Sequence, residues 1–260
     1  MDKNQELIKY LRQFESLAIA FSGGVDSTYL LKVAKEALGD KVVAITVKTP
    51  YTPRWELEEG KQLVKAIGVN HEIVEINHIP RDIKLNPKER CYLCKKYLFS
   101  QIIARANHMD ISTIADGSNF DDTKDYRPGM RALKELKVIS PLLINEFTKE
   151  EIRRFSKEYN LSTWNKPPYA CLLTRLEIGE EVVEEKLERI EKAEVYLKDL
   201  GFQGCRVRTH GDLARIEVKG TDLDKITKLE LMKEISFNLK NLGYRYVTLD
   251  MEGYRMGNLN

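Results

Sequence analysis

The sequence predicts an α/β fold, a parallel sheet covered by helices and followed by a smaller α+β unit, and three observations predict it. Apolar, strand-like runs alternate with helical patterns through the first half of the chain, which is the rhythm of βαβ units. That rhythm changes after a Pro-bearing stretch at residues 160–179. At 260 residues the chain is long enough to bury a core without disulfide or metal staples.

Strands are expected at residues 17–21, 42–47, 71–76 and 111–116, with a short one near Val138, and helices between them. Thr148-Lys149-Glu150-Glu151 has the form of a capping box, in which each side chain satisfies an orphan backbone donor, so a helix should run from there to about Tyr159. Residues 160–179 read as a linker or functional loop, with little periodicity around Pro167 and Pro168. A charged amphipathic helix follows at 180–200, ended by Gly201, then short alternating strands at 206–209 and 213–218. A helix at 222–241 and a strand at 244–249 close the chain. The expected domains are residues 1–165 and 166–260, with no internal repeat or low-complexity tract.

Composition excludes several classes. Lys and Arg number 42 against 40 Asp and Glu, without a polybasic or acidic tail, which disfavours a nucleic-acid partner. The charged N-terminus lacks the apolar core and cleavage site of a secretory signal, and no apolar run reaches membrane-spanning length, so a cytoplasmic protein is expected. Four cysteines are too few for a disulfide scaffold and point to metal, cluster or redox chemistry.

The first expected strand runs directly into Ser22-Gly23-Gly24-Val25-Asp26-Ser27, where a helix begins with apolar Tyr29, Leu30, Val33 and Ala37. Strand, Gly-rich turn and helix N-terminus make an anion site, because unpaired amides and the positive end of the helix dipole converge there. The glycines let the backbone approach a phosphate, and no Walker A sequence is present. An ordinary turn with Asp26 or Ser27 as a helix cap is the bland alternative. A second acidic run, Asp116-Gly117-Ser118-Asn119-Phe120-Asp121-Asp122, follows the strand at 111–116 and belongs to the same carboxyl edge of the sheet. Its bland alternative is a solvated Asp-rich turn.

Cys91 and Cys94 form Cys-x-x-Cys, which fits half a zinc site, a redox pair or a cluster half-site. Cys171 lies in a Pro-flanked segment bordered by Lys166 and Arg175, where a thiolate would be favoured, whereas Cys205 begins a strand and suits a small buried apolar role.

The Ser-Gly-Gly-x-Asp-Ser turn resembles the PP-loop signature of the ATP pyrophosphatases. Together with the segments at residues 90–95, 117–129, 148–153, 166–175 and 206–218, it is similar to the LarE family of sulfur-inserting enzymes. The resemblance implies that ATP is cleaved between its α- and β-phosphates with Mg2+, and that a carboxylate of a small pyridinium biscarboxylate mononucleotide is adenylated and then converted to a thiocarboxylate. It implies that Ser22, Gly23, Gly24, Asp26 and Ser27 hold the pyrophosphate, Asp26 lying near Mg2+, with Gly117, Asn119 and Asp121 contributing from the second loop. It also implies a phosphate clamp, for which Arg175, Arg206, Arg208 and Arg215 are candidates, because planar guanidinium forks match phosphate oxygens.

Members of the family come in two forms. One gives up the sulfur of the cysteine equivalent to Cys171 and leaves dehydroalanine. The other has three cysteines and carries a [4Fe-4S] cluster, and a chain with Cys91, Cys94 and Cys171 resembles that form. Three thiolates leave one iron open for a hydrosulfide, so sulfide or another sulfur donor would be a partner. A homo-oligomer is expected from the same resemblance. The alternatives are a PP-loop tRNA thiolase, which the balanced charge disfavours, and a non-catalytic nucleotide- or metal-binding regulator.

Overall fold

The structure, a computed structural model, describes residues 2–124, 128–168 and 170–255. Asp125, Tyr126, Arg127 and Tyr169, which belong to the resembling segments, lie outside the described residues. The chain divides into two compact units, Met1–Asp82 with Glu89–Lys166, and Ile83–Lys88 with Pro167–Asn260.

In the first unit the order is α1 (Lys3–Leu11), β1 (Leu17–Ala20), α2 (Val25–Leu38), β2 (Val42–Lys48), α3 (Arg54–Ile67), β3 (Asn70–Glu75), α4 (Arg90–Asn107), β4 (Ile114–Ala115), α5 (Pro128–Glu135), α6 (Pro141–Ile144) and α7 (Lys149–Glu158). The four strands are parallel, in the order β3-β2-β1-β4. Successive side chains of a strand point to opposite faces, and here both faces are covered. Leu17, Ile19, Val42 and Ala44 join the core that holds Leu7, Tyr29, Phe147 and Phe155. Ala18, Val43 and Ile45 join the core of Phe99, Ile102 and Leu133. Two buried faces explain why these strands read as continuous apolar runs rather than alternating ones.

The parallel α/β sheet and the helices between its strands agree with the expected fold class. Two expected strands are reduced to a remnant in the structure. Ile111 is taken by a turn that closes α4, its amide bonding the Ala106 carbonyl, so β4 begins only at Ile114. Near Val138 a single parallel bridge joins Ile139 to Ala115. The capping box forms as expected: the Thr148 hydroxyl accepts from the Glu151 amide and the Glu151 carboxylate accepts from the Thr148 amide.

The second unit contains α8 (Glu184–Asp199), β5 (Arg206–His210), β6 (Leu213–Glu217), α9 (Leu223–Ile226), α10 (Leu229–Asn241) and β7 (Tyr246–Leu249). β5 and β6 are antiparallel, β7 is parallel to β6, and Leu197, Phe202, Val207, Ile216 and Leu239 lie in the core of this unit. The helix expected at 222–241 is two helices, because the Thr227 hydroxyl bonds back to the Leu223 carbonyl and Lys228 is extended. The hexapeptide Ile83–Lys88 is held here by buried Asn86, whose amide donates to the carbonyls of Leu173, Leu176 and Glu177 at 3.2, 3.1 and 2.8 Å. Among the described residues no helix is long and apolar enough to cross a membrane.

Candidate functional site

At the carboxyl end of β1 the backbone turns through Ser22, Gly23 and Gly24 into α2. Gly23 has φ +71°, a left-handed conformation that a side chain disfavours. Hydroxyls shape the turn: Ser27 Oγ donates to the Gly24 carbonyl at 3.3 Å and accepts from the Ser22 amide at 3.4 Å, and Thr28 Oγ1 donates to the Gly24 carbonyl at 2.7 Å. Gly24, rather than a side chain, is the N-cap of α2, so the first amides of the helix receive no side-chain cap.

The loop after β4 lies directly against this turn. A Cβ added at Gly117 would meet the Ser27 backbone nitrogen at 2.9 Å, so only glycine fits there. Asn119 then caps a short 3-10 turn, Phe120–Thr123, and its backbone amide donates to Asp122 Oδ2 at 3.0 Å. The Asn119 side-chain nitrogen donates to Asp26 Oδ1 at 3.3 Å. The two loops thus share the Asp26 carboxylate.

Three lysines stand around this junction, and sequence reasoning missed all three as site residues. Lys149, the first residue of α7, ion-pairs with Asp26, and its backbone amide donates to Asp121 Oδ2 at 2.7 Å. Lys166 donates to the Gly23 carbonyl at 3.1 Å and pairs with Glu59 at 3.0 Å. Lys95, on α4, reaches Asp116 at 3.4 Å, a buried carboxylate that also accepts 2.6 Å hydrogen bonds from Ser118 and Ser140. Burial pushes the Asp26 carboxyl above its ordinary pKa, and the ammonium of Lys149 opposes that shift. The Lys124 ammonium and the Lys149 amide hold Asp121 below its ordinary value.

Cys91 and Cys94 lie one turn apart at the start of α4, which places them on one side of the helix. Cys91 is exposed, and Cys94 Sγ lies 3.3 Å from the buried Tyr51 hydroxyl. Cys171, in the second unit, opens a 3-10 turn, Leu172–Arg175. None of the four cysteines takes part in a disulfide. Among the described residues, no three His, Cys, Asp or Glu side chains stand together as a metal-binding group.

The arginines expected to grip phosphate are placed differently from a solvated basic strand face. Arg175, Arg206 and Arg208 are buried. Arg175 makes two 2.8 Å bonds to Glu194, and Arg208 makes two 3.0 Å bonds to Glu217. Arg206 donates to the carbonyls of Pro168, Gly204 and Cys205 and lies 4.9 Å from the Tyr254 ring centre. Arg215 is half-buried beside Glu217 and Asp250. The expectation missed the acidic partners because Glu194 lies on α8 and Glu217 enters register only once β5 and β6 pair.

The family description NAD synthase matches residues 4–108. An uncharacterized protein of Synechocystis sp. is 39% identical over 259 residues, 99% of this chain and 97% of that one. The pyridinium-3,5-bisthiocarboxylic acid mononucleotide synthase of Lactiplantibacillus plantarum is 32% identical over 260 residues, 99% of this chain and 94% of the synthase. An uncharacterized protein of Methanocaldococcus jannaschii is 33% identical over 241 residues, 93% of this chain and 91% of that one.

Proposed function

The chain belongs to the family of the pyridinium-3,5-bisthiocarboxylic acid mononucleotide synthase, the LarE family of PP-loop enzymes, and on that premise we propose that it adenylates a carboxylate of pyridinium-3,5-biscarboxylic acid mononucleotide and converts it to a thiocarboxylate. In the first step a carboxylate oxygen attacks the α-phosphorus of ATP and pyrophosphate leaves. In the second, sulfur attacks the acyl carbon and AMP leaves with the original oxygen. Adenylation is needed because a free carboxylate is a poor electrophile.

The observation that carries this reading is the junction at Asp26: an uncapped helix N-terminus, glycines where side chains would not fit, and a carboxylate shared by two loops at the carboxyl edge of a parallel sheet. Residues 22–27 would cradle the pyrophosphate through backbone amides. Asp26 and Asp121 would offer oxygen ligands to Mg2+, which when bound neutralises the charge of the leaving pyrophosphate. Asn119 would orient Asp26, and Gly117 would admit the close approach of the two loops. Pyrophosphate exchange and AMP formation test the assignment: Asp26→Asn and Ser27→Ala should abolish both in folded protein, and unchanged AMP formation in either would refute it.

For the sulfur we propose a [4Fe-4S] cluster on Cys91, Cys94 and Cys171. Thiolates are the donors that iron clusters take, and two of the three lie one helical turn apart. When bound, the cluster supplies an iron without a protein ligand that can carry hydrosulfide. The alternative within the family is that Cys171 alone donates its sulfur by β-elimination, becoming dehydroalanine. Of the four arginines, Arg215 is the half-exposed one, and we propose it as the substrate-phosphate contact, with Arg175, Arg206 and Arg208 shaping the strand beneath. Self-association is proposed from the family alone and is read by light scattering.

A further inference from the structure

Lys149 occupies a position that its own helix disfavours. The first turn of α7 carries the positive end of the helix dipole, where carboxylates are stabilised and cations are not. The neighbours Glu150 and Glu151 obey this preference and Lys149 does not. A cation there needs an acidic partner, and it finds one 123 residues away in Asp26, in the first turn of α2. The Lys149 backbone is meanwhile tied to Asp121 in the second loop. The residue therefore joins both loops of the nucleotide site, its amide fixed and its ammonium on a flexible four-carbon stem that can swing without moving the helix. Local rules are broken most often where function requires it.

We propose that Lys149 is a nucleotide-responsive counter-cation: without nucleotide it neutralises Asp26, and on binding of Mg2+ and ATP it releases that carboxylate and turns to an oxygen of the leaving pyrophosphate. This rests on the reading of residues 22–27 as the phosphate loop. Charge stays balanced through the exchange. Asp26 trades an ammonium for a divalent cation, and the ammonium trades a carboxylate for a phosphate, so each of these half-buried groups keeps an opposite charge beside it.

The test compares full-length wild type with Lys149→Met and Lys149→Arg by calorimetric titration, using Mn2+ alone and then α,β-methylene ATP with Mg2+. Lys149→Met should bind the ATP analogue about ten- to a hundredfold more weakly, the loss of one charge-assisted bond. Its affinity for Mn2+ alone should rise, because no ammonium competes for Asp26. Lys149→Arg, which keeps the charge, should recover part of the nucleotide affinity and show no gain for Mn2+. A purely structural lysine would lower both affinities together, and that result, or no change in either, overturns the proposal. A wild type that fails to bind the analogue overturns the phosphate-loop reading as well, so the two failures are distinguishable.

Discussion

Arg208 and Glu217 meet diagonally across β5 and β6, where Glu217 stands opposite Arg206, in a two-pronged pair, both bonds 3.0 Å, with 0% of the Glu217 side chain exposed. Such a pair is tightly committed to the fold, because removing one partner leaves the other charged and buried. Glu217→Ala should destabilise the second unit by about 3–5 kcal/mol, read as a lowered denaturant midpoint. Arg208→Lys should not restore the loss, since an ammonium cannot make the paired contact. A stability change below about 1 kcal/mol, the range of exposed pairs, would mean that the pair is open to solvent.

Asp26 has the opposite relation to stability. Its folded pKa is raised, with burial the first cause, so it stabilises the fold below the pKa of the unfolded chain, near 3.8, and that contribution is lost as pH rises through the folded value. Asp26→Asn carries no such loss. Its stability relative to wild type should therefore improve as pH rises above about 4, while AMP formation is absent. A relative stability that falls over that range would contradict the burial argument.

Gly117→Ala should fail for a steric reason. The new methyl would press on the Ser27 backbone at 2.9 Å and separate the loop after β4 from the turn after β1. We expect loss of adenylation with a stability cost of about 1–3 kcal/mol, the usual range of overpacking. Normal pyrophosphate exchange in this variant would show that the two loops need not touch.

Cys205 should be dispensable for sulfur transfer. Burial pushes its thiol up to about 12, so it stays protonated, and its sulfur lies 3.8 Å from the Glu194 carbonyl in the core of the second unit. Cys205→Ala should cost about 1–2 kcal/mol of stability, the scale of a small core truncation, and leave thiocarboxylate yield per folded chain unchanged. Loss of product in soluble Cys205→Ala would mean that the sulfur chemistry runs through this thiol instead.

The sulfur source is decided by stoichiometry. Anaerobically reconstituted protein given ATP, Mg2+, substrate and excess sulfide should form more than one thiocarboxylate per chain, and alanine at Cys91, Cys94 or Cys171 should remove both iron and product. Loss of hydrogen sulfide from the Cys171 peptide in mass spectrometry, in step with product and independent of iron, would select the sacrificial mechanism instead.

The parallel α/β class, the Ser22-Gly23-Gly24 turn into α2 and the Thr148–Glu151 capping box are legible in residue order. These signals are local: a run of apolar residues, a glycine pair after a strand, a side chain reaching three residues along a helix. Tertiary structure alone decided that Lys149 meets Asp26 and that Gly117 rests on Ser27. It also decided that Arg175 and Arg208 spend their forks on Glu194 and Glu217. Each of these depends on which strands pair and which helix ends converge, and the energy of an ion pair depends on distance and burial, neither of which is written in residue order.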